Sequence, residues 1–224
     1  WKLSREVQDK FGLASQQKYF AAHKANRFKE ELVSVLVTKG KESFECMQDE
    51  YPRETSLERL TQLKPAFREG GTVTAGNSSG INDGAAAALL VSESYLKTHS
   101  QKPLARVVAM AIAGVDPAYM GVGPVPAVKK ALQRAGLKIS DIGLFELNEA
   151  FAAQSIACIQ DLGINPELVN VNGGAIAIGH PLGCSGVRIS ATLIHEMQKR
   201  KIRYGIATMC IGVGQGAAVV YELI

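Results

Sequence analysis

The apolar positions of this chain follow two different patterns, one before and one after about residue 70. In the first region, apolar residues recur at helical spacing, and Ser4 is of a residue type that caps helix N-termini. Together these features predict a helix from about Ser4 to about residue 25. The members of this stripe are Leu3, Val7, Phe11 and Ala14. An apolar run at 33–37 predicts a strand, and a capping-box pattern at 55–58 predicts a short helix that stops before Pro65.

From residue 71 onwards, short apolar runs alternate with helical patterns. The predicted strands are 85–91, 104–113, 142–147, 169–171, 203–209 and 217–223. The predicted helices are a short one capped by Ser92, one from Pro124 to Gly136, and those at 150–162 and 181–199. Alternation of this kind is typical of α/β proteins, so we expect a mixed, mostly parallel sheet with helices on both faces.

Composition and charge argue against two classes of binding partner, nucleic acids and membranes. The chain has 224 residues, of which 46% are apolar and 21% charged, so it can build a core. The net charge of +4 comes without an aromatic-rich basic strand or a zinc spacing, which argues against a nucleic-acid partner. No apolar run approaches the roughly 20 residues of a membrane span, so no membrane partner is expected.

The cysteines and the first residue give information on the cellular compartment of the protein. The four cysteines form no CxxC pair, so we expect free thiols in a reducing, cytoplasmic compartment. The chain starts at Trp1 with a helix about to begin, so we expect further residues ahead of it and do not exclude organelle targeting.

Three polar clusters lie at the predicted carboxyl ends of strands, where ligands bind in open α/β sheets. They are 148–152, beginning with Asn148, then 173–183, which contains His180, and 210–216, beginning with Cys210. Each has a plain structural interpretation as a helix cap, a structural histidine or a small buried thiol. The glycines at 212–214 lack the βαβ context of a dinucleotide fingerprint, which argues against a nucleotide-dependent oxidoreductase.

Taken together, these three segments resemble the signature blocks of the thiolase family, in the same order and at similar separations. Residues 4–9, 71–86 and 120–127 resemble further blocks of that family. The resemblance implies a thiolase-like layered α/β fold. It also implies Claisen condensation or thiolysis of acyl-CoA thioesters through a cysteine acyl-enzyme. By this resemblance, 1–79 is part of an α+β loop domain that binds CoA, 80–103 returns to an N-terminal domain, and 104–224 is the C-terminal domain.

The resemblance also implies catalytic roles. His180 matches the base that activates the nucleophilic cysteine and helps to polarise the second thioester, because a neighbouring imidazole increases the thiolate population. Asn148 matches the residue that holds a water in one oxyanion hole. Cys210 matches the acid/base that moves the α-proton, and the N–H group of Gly212 matches a donor of the other oxyanion hole.

Five further residues match positions that contact the substrate. Ser79 matches a serine that binds the pantetheine arm of CoA, Arg53 and Phe67 match residues near the adenine end, and Met120 and Phe151 match the acyl pocket. Coenzyme A is then a substrate or product, and no permanent cofactor or metal is expected. The family also implies a homodimer or homotetramer.

The sequence departs from the family in two ways. Val213 stands where the family usually has glycine, so its side chain is expected to strain the turn or narrow the pocket. No cysteine matches the nucleophile, which lies in a Cys-x-Ser-Gly context in the family's N-terminal half. Cys184 is locally similar but lies in a different block, where the family often has alanine. We therefore expect these residues alone to have no thiolase activity.

The branch within the family depends on fewer residues. The blocks around Asn148 and His180 are closest to short-chain acetoacetyl-CoA thiolases, and Ala153 stands where degradative members more often have proline. A degradative 3-ketoacyl-CoA thiolase and a non-catalytic acyl-CoA-binding subunit remain as alternatives.

Overall fold

The computed structural model describes residues 1–224 and contains seven α-helices and six strands. The helices are α1 (Arg5–Lys24), α2 (Leu57–Thr61), α3 (Glu93–Thr98), α4 (Pro124–Ala135), α5 (Ala152–Leu162), α6 (Ala175–Ile178) and α7 (Leu182–Arg200). The strands are β1 (Val35–Lys39), β2 (Glu42–Cys46), β3 (Ala105–Gly114), β4 (Leu144–Leu147), β5 (Tyr204–Ile211) and β6 (Gln215–Leu223). No helix is long and apolar enough to cross a membrane.

The main sheet is mixed, but its proportions differ from the expectation. Its order is β3-β6-β5-β4, and β1 and β2 form a separate hairpin. Only β4 and β5 are parallel, whereas β6 is antiparallel to both of its neighbours. The prediction of a mostly parallel sheet was therefore wrong. A Gly-containing turn joins β5 directly to β6, and such short connections produce antiparallel neighbours.

Helices cover both faces of the sheet, as predicted. The larger apolar cluster lies between the sheet and the pair α4 and α5, and includes Val128, Cys158 and Ile206. The smaller cluster lies under α7 and includes Leu193 and Met197. The strand ends that carry the polar clusters thus lie between two packed helical layers.

Helix α1 forms where predicted, with the Ser4 hydroxyl accepting from the Val7 backbone, but it buries a different face. Val7 of the predicted apolar stripe is 43% exposed, whereas Asp9, Ser15 and Gln16 are buried. Asp9 accepts hydrogen bonds from Arg5 and from the Asn77 amide. The polar face is buried because it docks on polar loops, which helical periodicity alone does not reveal.

Two predicted strands are absent from the structure. Residues 85–91 have no regular secondary structure, and Leu89 and Leu90 are 77% and 76% exposed. A strand needs a neighbour for its backbone hydrogen bonds, and no described strand pairs with this segment. Residues 169–171 form only an isolated bridge, between Val169 and Phe145. Conversely, the sequence interpretation missed β2 and the single-turn helix α6.

Candidate functional site

His180 lies in the short link between α6 and α7, and the link is shaped by Gly179. Gly179 has φ +106°, and a Cβ at this position would lie 2.3 Å from the Asn82 side chain, so only glycine fits. The His180 backbone N–H donates to the Gly80 carbonyl at 3.2 Å. These constraints fix the backbone position from which the His180 side chain extends.

Two side chains hold the imidazole. The Nδ1 of His180 is 2.6 Å from the hydroxyl of Ser185, one turn into α7. That hydroxyl donates its own proton to the Pro181 carbonyl at 3.0 Å, so it accepts from Nδ1–H. The other nitrogen, Nε2, then carries the lone pair and lies 3.3 Å from the Asn148 amide nitrogen, which donates to it. His180 is therefore held as a base with its lone pair towards Asn148.

The surroundings of His180 favour its neutral form. Partial burial lowers the pKa of His180 below its usual 6.5, and the positive charge of Arg188 lowers that pKa further. A neutral imidazole at neutral pH is the form that accepts a proton from a thiol.

Asn148 follows the last residue of β4, and a second asparagine fixes that strand end. The Asn148 N–H donates to the Thr208 carbonyl of β5 at 2.9 Å. Asn170, which is buried, accepts from the Leu147 N–H and donates to the Leu147 carbonyl, both at 2.8 Å. The buried Oδ1 of Asn148 has no partner in the protein and is free to accept from a water or a substrate.

Glu149 does not cap a helix, although its position suggested that structural role. Its buried carboxylate accepts from the Ser15 hydroxyl at 2.6 Å, the Asn170 amide at 2.8 Å and the Ile176 N–H at 3.2 Å. Burial raises the pKa of Glu149, and its effect outweighs these hydrogen bonds, which lower the pKa. The side chain thus joins α1, α6 and the loop that carries Asn148.

Cys210 lies near the carboxyl end of β5, the strand parallel to β4, so it shares the edge of the sheet with Asn148. Its side chain is nearly buried, at 4% exposure, and burial raises the pKa of its thiol to about 11. No hydrogen bond joins Cys210 to His180. Gly212 is exposed at the tip of the β5–β6 turn, with no atom within 4 Å of where a Cβ would be.

Val213 occupies the same turn in a strained conformation. Its φ is +67°, in the left-handed region that β-branched residues avoid, and its side chain is 83% exposed. The expected strain at this departure from the family pattern is therefore present. The exposed side chain packs on nothing that would offset it.

The residues matched to the substrate fall into two places. The Ser79 N–H donates to the Ala150 carbonyl at 3.0 Å, beside the loop that carries Asn148. Phe67 packs edge-on against Phe151, with ring centroids 5.9 Å apart. Phe151 and Met120 both line an apolar cavity of about 270 Å³. Ser79, Phe67, Phe151 and Met120 thus gather near the site.

Arg53 lies elsewhere. It lines a more polar groove of about 350 Å³ together with Gln16 and Phe20, and its guanidinium stacks over the Tyr51 ring. Phe67 was matched to the same end of CoA as Arg53, but its aromatic contact is with Phe151. The structure therefore groups Phe67 with the acyl-pocket residues.

Sequence reasoning missed Ser185 and Asn170 as parts of the site. Ser185 was visible only as part of the motif around Cys184, and the contact with His180 gives it a separate role. Burial raises the pKa of Cys184, the opposite of what a thiolate nucleophile needs, which supports rejecting it. No group of three His, Cys, Asp or Glu side chains is arranged to hold a metal ion.

Comparisons with known proteins identify the family of this chain. The family model described as thiolase, C-terminal domain, matches residues 101–223, and that described as thiolase, N-terminal domain, matches residues 1–94. An acetyl-CoA acetyltransferase from Rhizobium meliloti is 54% identical over 99% of this chain and 57% of its own length. The chain thus spans little more than half of the curated relatives it matches.

Solved structures give the same result. The crystal structure of the Bacillus anthracis acetyl-CoA acetyltransferase aligns with a TM-score of 0.97 and 42% identity, over 100% of this chain and 57% of that one. Human mitochondrial 3-ketoacyl-CoA thiolase in complex with CoA aligns with a TM-score of 0.95 and 47% identity, over 100% and 56%. The layered fold expected from the sequence is confirmed.

Proposed function

This chain belongs to the thiolase family, and from that premise we propose that it supplies the histidine, asparagine and acid/base cysteine of a thiolase site. The reaction is the thiolysis of acetoacetyl-CoA by CoA to two acetyl-CoA, or its reverse, Claisen condensation. The observation that carries the proposal is the imidazole of His180, held between Ser185 and Asn148 with Nε2 as its unprotonated nitrogen.

The proposed thiolysis begins with a cysteine from outside these residues, since no cysteine here lies in a matching context. His180 Nε2 takes the proton of that thiol, and the thiolate attacks the 3-keto carbon of the substrate. The bond between the α- and β-carbons breaks, which leaves an acetyl-enzyme and the enolate of acetyl-CoA. In this proposal, the protonated imidazole and the Gly212 N–H stabilise the charge that develops on oxygen.

Cys210 completes the proton balance. Its raised pKa, about 11, keeps the thiol protonated at neutral pH, which is the form that can donate to the enolate carbon. The resulting Cys210 thiolate then takes the proton of incoming CoA, and the CoA thiolate attacks the acetyl-enzyme. This step releases a second acetyl-CoA and the nucleophilic cysteine as a thiolate, which takes its proton back from His180 Nε2. Condensation is the same sequence reversed.

The substrate assignment rests on Ala153 and on the relatives. Ala153 supports the short-chain branch, and proteins named acetyl-CoA acetyltransferase are 54% identical to this chain. In this proposal, Ser79 binds the pantetheine arm of CoA and Arg53 binds its adenine end. The human relative that was crystallised in complex with CoA supports the proposal that this protein binds CoA.

The test compares thiolysis of acetoacetyl-CoA by these 224 residues alone with thiolysis by the protein joined to a Cys-x-Ser-Gly half. We expect turnover only in the joined protein. In it, His180→Asn should lower kcat by about 100-fold or more, the range that general base catalysis contributes. His99→Asn, an exposed histidine beside α3, is the matched control and should leave the rate unchanged. Turnover by the short chain, or equal rates in both variants, would contradict the proposal.

A further inference from the structure

The two side chains that hold the His180 imidazole belong to two different elements. Ser185 lies one turn into α7, and Asn148 directly follows the last residue of β4. The ring can touch both side chains only if the start of α7 and the end of β4 keep a fixed separation. Any other contact between these two elements therefore affects the geometry at His180.

Arg188 and Glu146 form such a contact. The Nη1 of Arg188 lies 3.8 Å from the Oε2 of Glu146, and the two side chains are 16% and 4% exposed. Arg188 follows Ser185 by three residues, which places both on one side of α7. Glu146 precedes Asn148 by two residues, which places both on one face of β4. The pair thus joins the same sides of the two elements that hold His180.

The packing around β4 agrees with this orientation. Leu144 lies in the apolar cluster under α7 together with Ile189, the residue after Arg188. The next residue of the strand, Phe145, lies in the larger cluster on the other face of the sheet. Because side chains alternate along a strand, Glu146 turns towards α7 as Leu144 does. The apolar neighbours keep water away from this side of the pair, which strengthens the interaction between charges.

The Arg188 guanidinium makes no hydrogen bond with the protein. All three of its nitrogens are buried, and none of them has a partner within hydrogen-bond distance. Strong arginine–carboxylate pairs normally use two parallel N–H donors. The contact with Glu146 therefore acts through the positive charge of Arg188 and does not use the fork geometry of the guanidinium.

The charge on Glu146 depends on pH. Burial raises the pKa of Glu146 to about 8, whereas the charge of Arg188 lowers it. Arg188 itself stays protonated over this whole range, so the attraction between the two side chains grows as the pH rises through 8. The other carboxyl groups whose charges act on this pair are Glu31, Asp49, Glu149 and Glu196.

We propose that Arg188 is a positioning residue of the site: its contact with Glu146 holds the start of α7 against the end of β4, at the separation at which His180 reaches both Ser185 and Asn148. The inference rests on the proposed function, because its kinetic consequence requires His180 to act as the base. A displacement of about 1 Å at a reacting group can lower a rate by about 100-fold.

The first test measures thiolysis of acetoacetyl-CoA in the protein joined to a Cys-x-Ser-Gly half, at about pH 9, where Glu146 is charged. Arg188→Met keeps an apolar stem and removes the cation, so it should lower kcat by about tenfold or more. KM should change by about twofold or less, because Arg188 positions the base and does not bind CoA. Arg188→Lys should restore most of kcat, because the contact needs a cation and not a fork.

Arg27→Met is the matched control. It removes a cation from Glu196, another buried carboxylate of α7, which lies about three turns beyond Ser185. It should lower Tm but leave kcat unchanged. An unchanged kcat in Arg188→Met, or an equal loss of kcat in Arg27→Met, would overturn the positioning role.

Glu146→Gln tests the pair from its other side and keeps the shape of the side chain, in case Arg188→Met misfolds. At about pH 7, where Glu146 is largely protonated, kcat should lie within about twofold of the wild-type value. At about pH 9 it should be several-fold lower. A ratio of wild-type to variant kcat that does not rise between these two pH values would count against the pair.

Nitrogen NMR of His180 in the joined protein separates this inference from the proposed function. The signals are assigned with His180→Asn. Arg188→Met should shift the ring nitrogen signals and raise the pKa of His180, because a nearby cation is lost, whereas Arg27→Met should do neither. These shifts would support the link between Arg188 and His180 even if the wild-type protein shows no thiolysis, which would refute only the proposed function. Signals and a pKa equal to those of the wild type would overturn the inference even if thiolysis is observed.

Discussion

Ser185 determines which nitrogen of His180 carries the proton. Its hydroxyl gives its own hydrogen to the Pro181 carbonyl and therefore accepts from Nδ1–H. An imidazole held in this way keeps its Nε2 lone pair for the thiol, and the short link through Gly179 leaves it little freedom to turn.

Ser185→Ala should therefore lower kcat by about tenfold or more in the joined enzyme, because only the contact with Asn148 then holds the tautomer and the ring orientation. Nitrogen NMR shifts of His180 should change from a single Nδ1–H tautomer to a mixture, which a purely structural role would not cause. Ser190→Ala, further along α7 and not in contact with His180, is the control. An unchanged tautomer in Ser185→Ala would refute this role.

Val213 stores backbone strain in an exposed turn. Non-glycine residues held in the left-handed region cost of order 1–3 kcal/mol, and a β-branched side chain is especially unsuited to it. Val213→Gly should raise the free energy of unfolding by roughly 1 kcal/mol, after the entropy that glycine loses on folding. Thermal unfolding checks this.

Val33→Gly is the matched control for that measurement. Val33 is exposed to the same degree, 84% against 83%, but has no positive φ. Its replacement should bring no gain in Tm. Equal changes of Tm in both variants would show that the backbone strain at Val213 does not lower the stability of the protein.

At the level of elements, Glu149 joins two helices to the segment around Asn170. Its carboxylate receives hydrogen bonds from Ser15 of α1, from Asn170, and from the Ile176 N–H of α6. Ser15 in turn accepts from the Gly174 N–H at 3.0 Å, and a Cβ on Gly174 would overlap the Glu149 carboxylate. The loop of Asn148 is therefore held between α1 and the segment that leads to His180.

Glu149→Ala should destabilise the protein strongly, because each buried group left unpaired costs roughly 1–3 kcal/mol and three lose their partner. Urea unfolding should show a lower midpoint. Glu167→Ala removes an exposed glutamate and is the control, expected to change stability little. A midpoint for Glu149→Ala within error of wild type would contradict the joining role.

For the whole molecule, two carboxyl groups near Arg188, one buried and one partly exposed, contribute to the pH dependence of stability. Burial raises the pKa of Glu31 to about 7 and that of Glu146 to about 8, in each case against the charge of Arg188. The native state thus holds protons that the unfolded chain, with an ordinary pKa of 4.5, has released. Stability from this source is full below about pH 4.5 and falls as the pH rises, until the pH passes about 7 for Glu31 and about 8 for Glu146.

We expect the free energy of unfolding to fall between about pH 6.5 and 8, by up to about 1.4 kcal/mol per pH unit for each group. The pKa values of His180 and His195 are lowered, so these histidines take up protons below this window. Their titration does not mask the expected fall in stability. Urea unfolding across the window measures the slope. Glu146→Gln should flatten it and Glu93→Gln, an exposed control, should not. A flat or rising profile in wild type would contradict this account.

The sequence alone determined the family, most helices and the residues around which the site is built. Caps such as Ser4 and Gly136 act within a few residues, and the signature segments carry their chemistry in local order. These features depend on short-range contacts, which a linear pattern records.

Only the tertiary structure decided which partners meet. It turned the polar face of α1 inwards, made the sheet mainly antiparallel and brought Phe67 to Phe151. Each of these depends on groups far apart in the chain, whose contacts balance desolvation against hydrogen bonding and packing. Periodicity reports that a residue is suited to burial, but it does not identify the surface that buries it.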